Sequence, residues 1–228
     1  MKPALVFDWN GTLLDDTYAL LETTNVILNR FGRPSIGINT FREHCDVPLS
    51  RLYRSLGMSQ EEVEAVGRDE SALFHDTYEP LADKADLREG ARRVLALARR
   101  EPALLIILSN HIVAPLQFQL RRLGLDDYVT DVLAFESRAT QYKSMSKGER
   151  LRLYMNRYNL KPSSTFIIGD MPVEIDIARN LGLTSISITG GFVSASRLQA
   201  AHPDYTINNH HELLPILQSH GFFWNAKS

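Results

Sequence analysis

A single cysteine, Cys45, stands in 228 residues, and that scarcity excludes an internal disulfide and any thiolate metal cluster. Long apolar runs are also missing, since nothing approaches the roughly 20 residues of a membrane span. The apolar stretch near the N-terminus is short and broken by Asp8, so it does not read as a signal peptide. Neither charge is in large excess. The formal net charge of −2 carries no basic footprint for nucleic acid or an anionic membrane. No internal repeat or low-complexity tract is visible, and residues 15–83 contain no lysine. What is present, 44% hydrophobic and 23% charged residues, is the balance of an ordinary globular protein. The length suits one sizeable domain, or one domain carrying a smaller insertion. A cytoplasmic location without nucleic-acid or membrane partners is expected, and the oligomeric state is left open.

Ala4-Leu5-Val6-Phe7 runs directly into Asp8, and Gly11-Thr12 follows before a helical pattern begins. A short continuous apolar run reads as a buried strand of a parallel sheet. Asp8 then lies at the carboxyl end of a strand, where open α/β sheets bind ligands. There it serves as a nucleophile or metal ligand, or it merely starts a turn before Gly11. The segment alone does not choose between them.

From residue 13 to 31 apolar residues recur at helical spacing, with Asp15, Asp16 or Thr17 as the candidate cap. The pattern stays helical from Asn39 to about Asp83, broken at Asp46-Val47-Pro48, Gly57-Met58-Ser59 and Gly67. Ser59 and Glu62 form a capping-box pattern there. No strand-like run occurs, so residues 15–87 read as a helical insertion, the cap, between core segments 1–14 and 88–228. Strands then alternate with helices. Residues 103–108, 132–135, 165–168, 185–188 and 205–207 read as strands, with helices over 87–100, 113–123, 149–158, 174–181 and 212–218. Alternation of this kind predicts an α/β fold, a three-layer parallel sheet with right-handed crossovers.

Three of the best buried strands end in a polar residue: Asp8, Ser109 and Asp170. In one parallel sheet these ends converge on a single crevice. Phe-Asp-Trp-Asn-Gly-Thr-Leu at 7–13, Leu-Ser-Asn at 108–110, a helix-starting Lys147 and Gly-Asp-Met-Pro-Val-Glu at 169–174 together resemble four motifs of the haloacid dehalogenase (HAD) superfamily. The resemblance spans nearly the whole chain and is to members with a helical cap between the first two motifs, in the phosphoglycolate phosphatase-like arrangement. It implies a Rossmann-like core and a Mg²⁺-dependent phosphatase acting on a small phosphorylated molecule. By the same resemblance Asp8 is the nucleophile that forms an aspartyl-phosphate. Asp8, Asp170 and the carbonyl of Asn10 would hold Mg²⁺, and Glu174 a metal-bound water. Ser109 and the N–H of Asn110 would donate to phosphoryl oxygens, and Lys147 would neutralise charge on Asp8 and the phosphate. Gly11 and Thr12 complete the loop expected to face the substrate.

Lys147 is preferred to Lys143 as the motif lysine, because it precedes Asp170 by 23 residues and opens a helix capped by Ser146. One departure from the family pattern matters more. Most phosphatases of the superfamily carry an acid/base Asp two residues after the nucleophile, and here that residue is Asn10. An amide cannot transfer a proton at neutral pH, and general acid–base catalysis contributes ~10²–10⁴-fold. A phosphatase using activated leaving groups or another proton source is expected. The alternative is a slow phosphotransferase or a protein that binds a phosphorylated ligand. Phosphonatase chemistry resembles this motif but needs a cap lysine, which residues 15–83 lack. Dehalogenation needs no metal, whereas Asp170 and Glu174 favour one. Within the cap, Arg42 and His44 are the candidates to meet a second anionic group of the substrate. His111 is expected to touch substrate or to start a helix, His202, His210, His211 and His220 to be surface residues, and Cys45 a packing residue.

Overall fold

The computed structural model describes residues 3–68, 71–137 and 145–222. Six parallel strands form one sheet: β1 (Ala4–Phe7), β2 (Leu104–Ile112), β3 (Asp131–Phe135), β4 (Thr165–Gly169), β5 (Thr184–Ile188) and β6 (Tyr205–Ile207), in the spatial order β3-β2-β1-β4-β5-β6. β1 is therefore central, and the order reverses beside it, where such sheets open a crevice at their carboxyl ends. Phe7 pairs with Ile107 on one side and Ile168 on the other. Asp8 is thus level with Leu108 and Gly169, and Ser109 and Asp170 follow one residue later. The Asp8 N–H donates to the Ile168 carbonyl at 2.9 Å, fixing the chain as it leaves the sheet.

Strand alternation sends Leu5 and Phe7 to one face and Ala4 and Val6 to the other. The first face packs, with Leu105, Ile107, Phe166 and Ile168, against α6 (Ala91–Arg100), α7 (Val113–Arg122) and α11 (Leu213–Ser219). The second packs against α8 (Lys147–Tyr158) and α9 (Pro172–Leu181), through Leu151, Tyr154, Met155, Ile177 and Ala178. A short helix, α10 (Ala195–Ala200), lies between β5 and β6. Each fully buried aliphatic side chain of these layers contributes about 1.5–3 kcal/mol relative to exposure.

Between β1 and α6 lie five helices: α1 (Thr17–Arg30), α2 (Ile38–His44), α3 (Leu49–Ser55), α4 (Gln60–Arg68) and α5 (Ser71–Ala82). The expected box closes α4, with the Glu62 N–H donating to Ser59 Oγ at 3.2 Å and the Ser59 N–H to Glu62 Oε2 at 2.6 Å. Two antiparallel connectors join this helical part to the sheet. The Asp15 N–H donates to the Asp86 carbonyl at 2.8 Å, and the Arg88 N–H to the Leu13 carbonyl at 2.9 Å. The apolar centre of the helical part, including Phe41, Cys45 and Leu52, continues onto Met171, Phe192 and Val193 of the sheet part. Among the described residues no helix is long and apolar enough to cross a membrane.

Two expectations need correction. β2 runs past Ser109 to Ile112 through a register irregularity after Leu108, so His111 belongs to the strand, while α7 starts at Val113 as expected. Local pattern could not reveal this, because Ser-Asn-His is not an apolar run. His210 is fully buried, not a surface residue. It sits against the Phe7 ring, with Nδ1 at 3.3 Å from the Glu89 carbonyl. Burial, with Arg88 adding to it, lowers its pKa to about 4.

A pH prediction follows for His210. Its folded pKa lies below the ordinary value of about 6.5, so between the two values the unfolded chain binds more protons. Its contribution to stability is complete above about pH 6.5 and is lost as pH falls toward 4, by up to roughly 3 kcal/mol. Denaturant melts from pH 7 to 4 check this: His210→Gln should flatten the acid loss, and an unchanged slope would refute the assignment.

Candidate active site

Asp8 is 7% exposed, and its Oδ1 lies 2.7 Å from the Nζ of Lys147. Lys147 opens α8, where Ser146 caps the helix and Glu149 closes the capping box. The cap fixes the first turn and so the root of the lysine. The same Nζ is 2.5 Å from Glu174 Oε1, on the first turn of α9. Burial opposes the charge of Lys147, and the Asp8 and Glu174 carboxylates outweigh it, holding the pKa above the ordinary lysine value. Among the described residues, Lys147 is the lysine that reaches the cluster. Lys143, the rival candidate, lies outside the described residues.

Asp170 is fully buried at the end of β4. Its Oδ1 accepts from Thr12 Oγ1 at 3.0 Å and its Oδ2 from the Phe192 N–H at 2.6 Å. Burial, and then the Asp8 charge, raise its pKa above the carboxylate range. Burial raises Glu174 likewise, against the pull of Lys147. Close approach explains two glycines here. A Cβ on Gly11, whose φ is +70°, would come within 2.3 Å of Asp170 Oδ2, and one on Gly191 within 2.2 Å.

The Lys147 ammonium is thus shared by the Asp8 and Glu174 carboxylates, with Asp170 buried at the next strand end, and Glu174 Oε2 has no hydrogen-bond partner. A further cation would relieve this imbalance. Among the described residues no three Asp, Glu, His or Cys side chains converge to hold an ion by themselves. The donors expected here, two carboxylates and a backbone carbonyl, are all oxygen atoms. That is the habit of Mg²⁺, which keeps several waters and takes one or two carboxylates.

Ser109 Oγ accepts from the His111 N–H at 3.0 Å and lies 3.4 Å from Asn10 Oδ1, toward which it donates. Arg150, on α8 one turn after Lys147, donates to the carbonyls of Ser109 and Leu133 at 3.0 Å each and to Asn110 Oδ1 at 3.1 Å. Its guanidinium lies 4.1 Å from the centre of the Phe135 ring. One side chain therefore braces the end of β2 against β3.

Other candidates are engaged elsewhere. The Thr12 hydroxyl is spent on Asp170, and the Gly11 N–H donates to Asp16 Oδ1 at 2.7 Å. Arg42 reaches from α2 to the carbonyls of Gly191 at 2.9 Å and Gly190 at 2.6 Å, linking the helical part to the turn packed on Asp170. His44 is half-buried at the end of the same helix.

Several polar residues at the site escaped the sequence reading. Asp16 precedes α1 but makes no side-chain cap bond. Its carboxylate turns back instead, accepting from the Gly11 N–H, from Asn10 Nδ2 at 3.0 Å and from the Tyr78 hydroxyl. Burial raises its pKa to about 6, against these donors. Tyr78, on α5, also accepts from Asn10 Nδ2 at 2.7 Å. The next residue, Glu79, lies between His75 Nδ1 at 3.0 Å and His111 Nε2 at 3.4 Å. Burial alone would raise Glu79, but the two imidazoles prevail and draw its pKa to about 2. Arg88 donates to the carbonyls of Gly11 at 2.7 Å and Thr189 at 2.5 Å, tying the loop after Asp8 to the end of β5. Nothing in the local sequence singles out Tyr78, Glu79 or Arg88. Asp16 carried a signal, but a helix-cap reading accounted for it equally well.

Residues 5–188 match the family model described as haloacid dehalogenase-like hydrolase. The chain belongs to that family of enzymes. A phosphoglycolate phosphatase of Vibrio vulnificus is 23% identical over 219 residues, covering 93% of this chain and 95% of its own. That of Rhodobacter capsulatus is 26% identical over 200 residues, covering 84% and 86%. A haloacid dehalogenase-like family hydrolase from Streptococcus pneumoniae superposes with a TM-score of 0.80 at 20% identity, over 95% of this chain and 99% of its own. This likeness establishes the shared α/β fold.

Proposed function

We propose that this hydrolase is a Mg²⁺-dependent phosphatase that cleaves a small phosphorylated molecule through an aspartyl-phosphate on Asp8. The observation that carries the reading is Asp8 Oδ1 at 2.7 Å from Lys147 Nζ, on the central strand's carboxyl end beside Asp170 and Glu174. The names of the phosphoglycolate phosphatase relatives support the same class of reaction.

In the first step an Asp8 oxygen bonds to phosphorus while the bond to the substrate oxygen breaks. In the second, water attacks the acyl phosphate and restores the carboxylate. Lys147 holds Asp8 in place and offsets the negative charge gathered there, and Ser109, on the neighbouring strand, would donate to a phosphoryl oxygen. Asp8, Asp170 and the Asn10 carbonyl would hold Mg²⁺, whose contribution is to offset charge on the phosphoryl oxygens. Asn10 has no proton to give. The leaving oxygen must take its proton from water or depart as a stable anion, which favours acyl and aryl phosphates.

Phosphate release from p-nitrophenyl phosphate tests this directly. Release should require Mg²⁺, stop with chelator, and leave a phosphoryl group on the peptide bearing Asp8 after acid quench. No release together with no labelling of Asp8 would sink the proposal. Labelling without turnover would instead favour the phosphotransferase alternative.

A further inference from the structure

Asn10 stands where a carboxylate would ordinarily transfer protons, and its surroundings give a reason in this chain. Its amide nitrogen faces two acceptors, Asp16 Oδ2 at 3.0 Å and the Tyr78 oxygen at 2.7 Å. Its amide oxygen faces the Ser109 hydroxyl at 3.4 Å. The other Asp16 oxygen accepts from the Gly11 N–H at 2.7 Å, and the Tyr78 hydroxyl itself donates to Asp16. Asp16 accepts at both of its oxygens, from the Gly11 N–H and from the Tyr78 hydroxyl, and so presents an acceptor to position 10. A donor is required there. An Asp at 10 would set two carboxylates against each other in a buried site, an arrangement that costs stability or forces one group to rotate away.

We infer that Asp16 and Tyr78 are positioning residues for Asn10. They hold its amide with the nitrogen toward the helical part and the oxygen toward Ser109, and the carboxylate at 16 is what makes an amide at 10 necessary. Tyr78 is on α5 and Asp16 at the foot of α1, so the contact also couples the seating of α5 to the nucleophile loop. The catalytic consequence rests on the phosphatase reading; the pairing itself does not.

A double-substitution cycle tests the inference, using Asn10→Asp, Asp16→Asn and the two together, with p-nitrophenyl phosphate and Mg²⁺. Each single variant should lose at least ~10-fold in kcat with KM within about 2-fold, because the loop carrying Asp8 is misplaced while phosphate contacts persist. The double variant, which restores one donor facing one acceptor, should recover to within ~3-fold of the original kcat. Tyr78→Phe should lower kcat in the original chain, with KM little changed. Melting temperatures are read on the same four proteins and should show the same recovery. Additive losses, or an Asn10→Asp variant as stable and active as the original beside an intact Asp16, would overturn the inference. Should the original chain release no phosphate at all, the phosphatase reading fails alone. The melting cycle then decides: recovery in the double variant upholds the pairing and additivity refutes it.

Discussion

Replacing Asp8 by Asn should lower the rate of phosphate release by at least ~10⁴-fold, equivalent to about 5 kcal/mol of barrier, without unfolding the protein. An amide of the same shape keeps the turn but cannot act as the nucleophile, and no neighbour offers a substitute. Lys147 remains paired with Glu174 at 2.5 Å, and Asp170 is enclosed by Thr12 and Phe192. Stability should be unchanged or higher. Part of what raises the pKa values of Asp170 and Glu174 is the Asp8 charge, which the substitution removes. Single-turnover phosphate release, labelling of the Asp8 peptide and a thermal melt on one preparation read all three points. A folded variant keeping more than about a hundredth of the original rate would remove Asp8 from the nucleophile's role.

The second large effect concerns Lys147, where stability and chemistry are joined. Lys147→Met leaves the Asp8 and Glu174 carboxylates buried beside Asp170 without the ammonium that pairs them among the described residues. Removing one partner of a buried ion pair costs about 3–5 kcal/mol. For a domain of this size that lowers the melting temperature by roughly 6–20 °C. The pH dependence has a definite sign. A carboxylate whose folded pKa is raised binds more protons folded than unfolded, so its stability contribution falls as pH rises through that interval. The variant should therefore lose most at neutral and alkaline pH and least in mild acid, where Asp170 and Glu174 are neutral. Two further changes should restore part of the loss: adding Glu174→Gln, which removes one stranded charge, and adding Mg²⁺, which should stabilise the variant more than the original chain. Melts from pH 5 to 8 with and without Mg²⁺ decide it. A loss independent of both pH and metal would mean that packing, not charge, is the lysine's contribution.

Much of this site was legible before any coordinates because parallel sheets impose a simple rule. Buried strands are continuous apolar runs, and their carboxyl ends share one edge. Asp8, Ser109 and Asp170 each follow such a run, so their convergence depends only on the strands lying side by side. Lys147 was accessible for a different reason: its helix start is written locally, in Ser146 and Glu149. The extent of β2 was not legible, because Asn110 and His111 continue the strand without an apolar side chain to mark it. Nor was the burial of His210, which lies 121 residues from its carbonyl partner on Glu89 and packs on Phe7 from the far end of the chain.

The amino-acid order by itself determined the alternation of strands and helices, the helical stretch after β1, and which polar residues follow the apolar runs. These depend on local periodicity and capping, whose physical causes lie within a few residues. Only the tertiary structure decided which partners those residues face. Asp16 has the sequence of a helix cap, yet its carboxylate turns to Gly11, Asn10 and Tyr78. Arg42 has the sequence of a substrate contact, yet it holds the Gly190 and Gly191 carbonyls. A buried polar group must find its complement wherever the fold brings one, and across 62 residues, as between Asp16 and Tyr78, no local rule specifies which one that is.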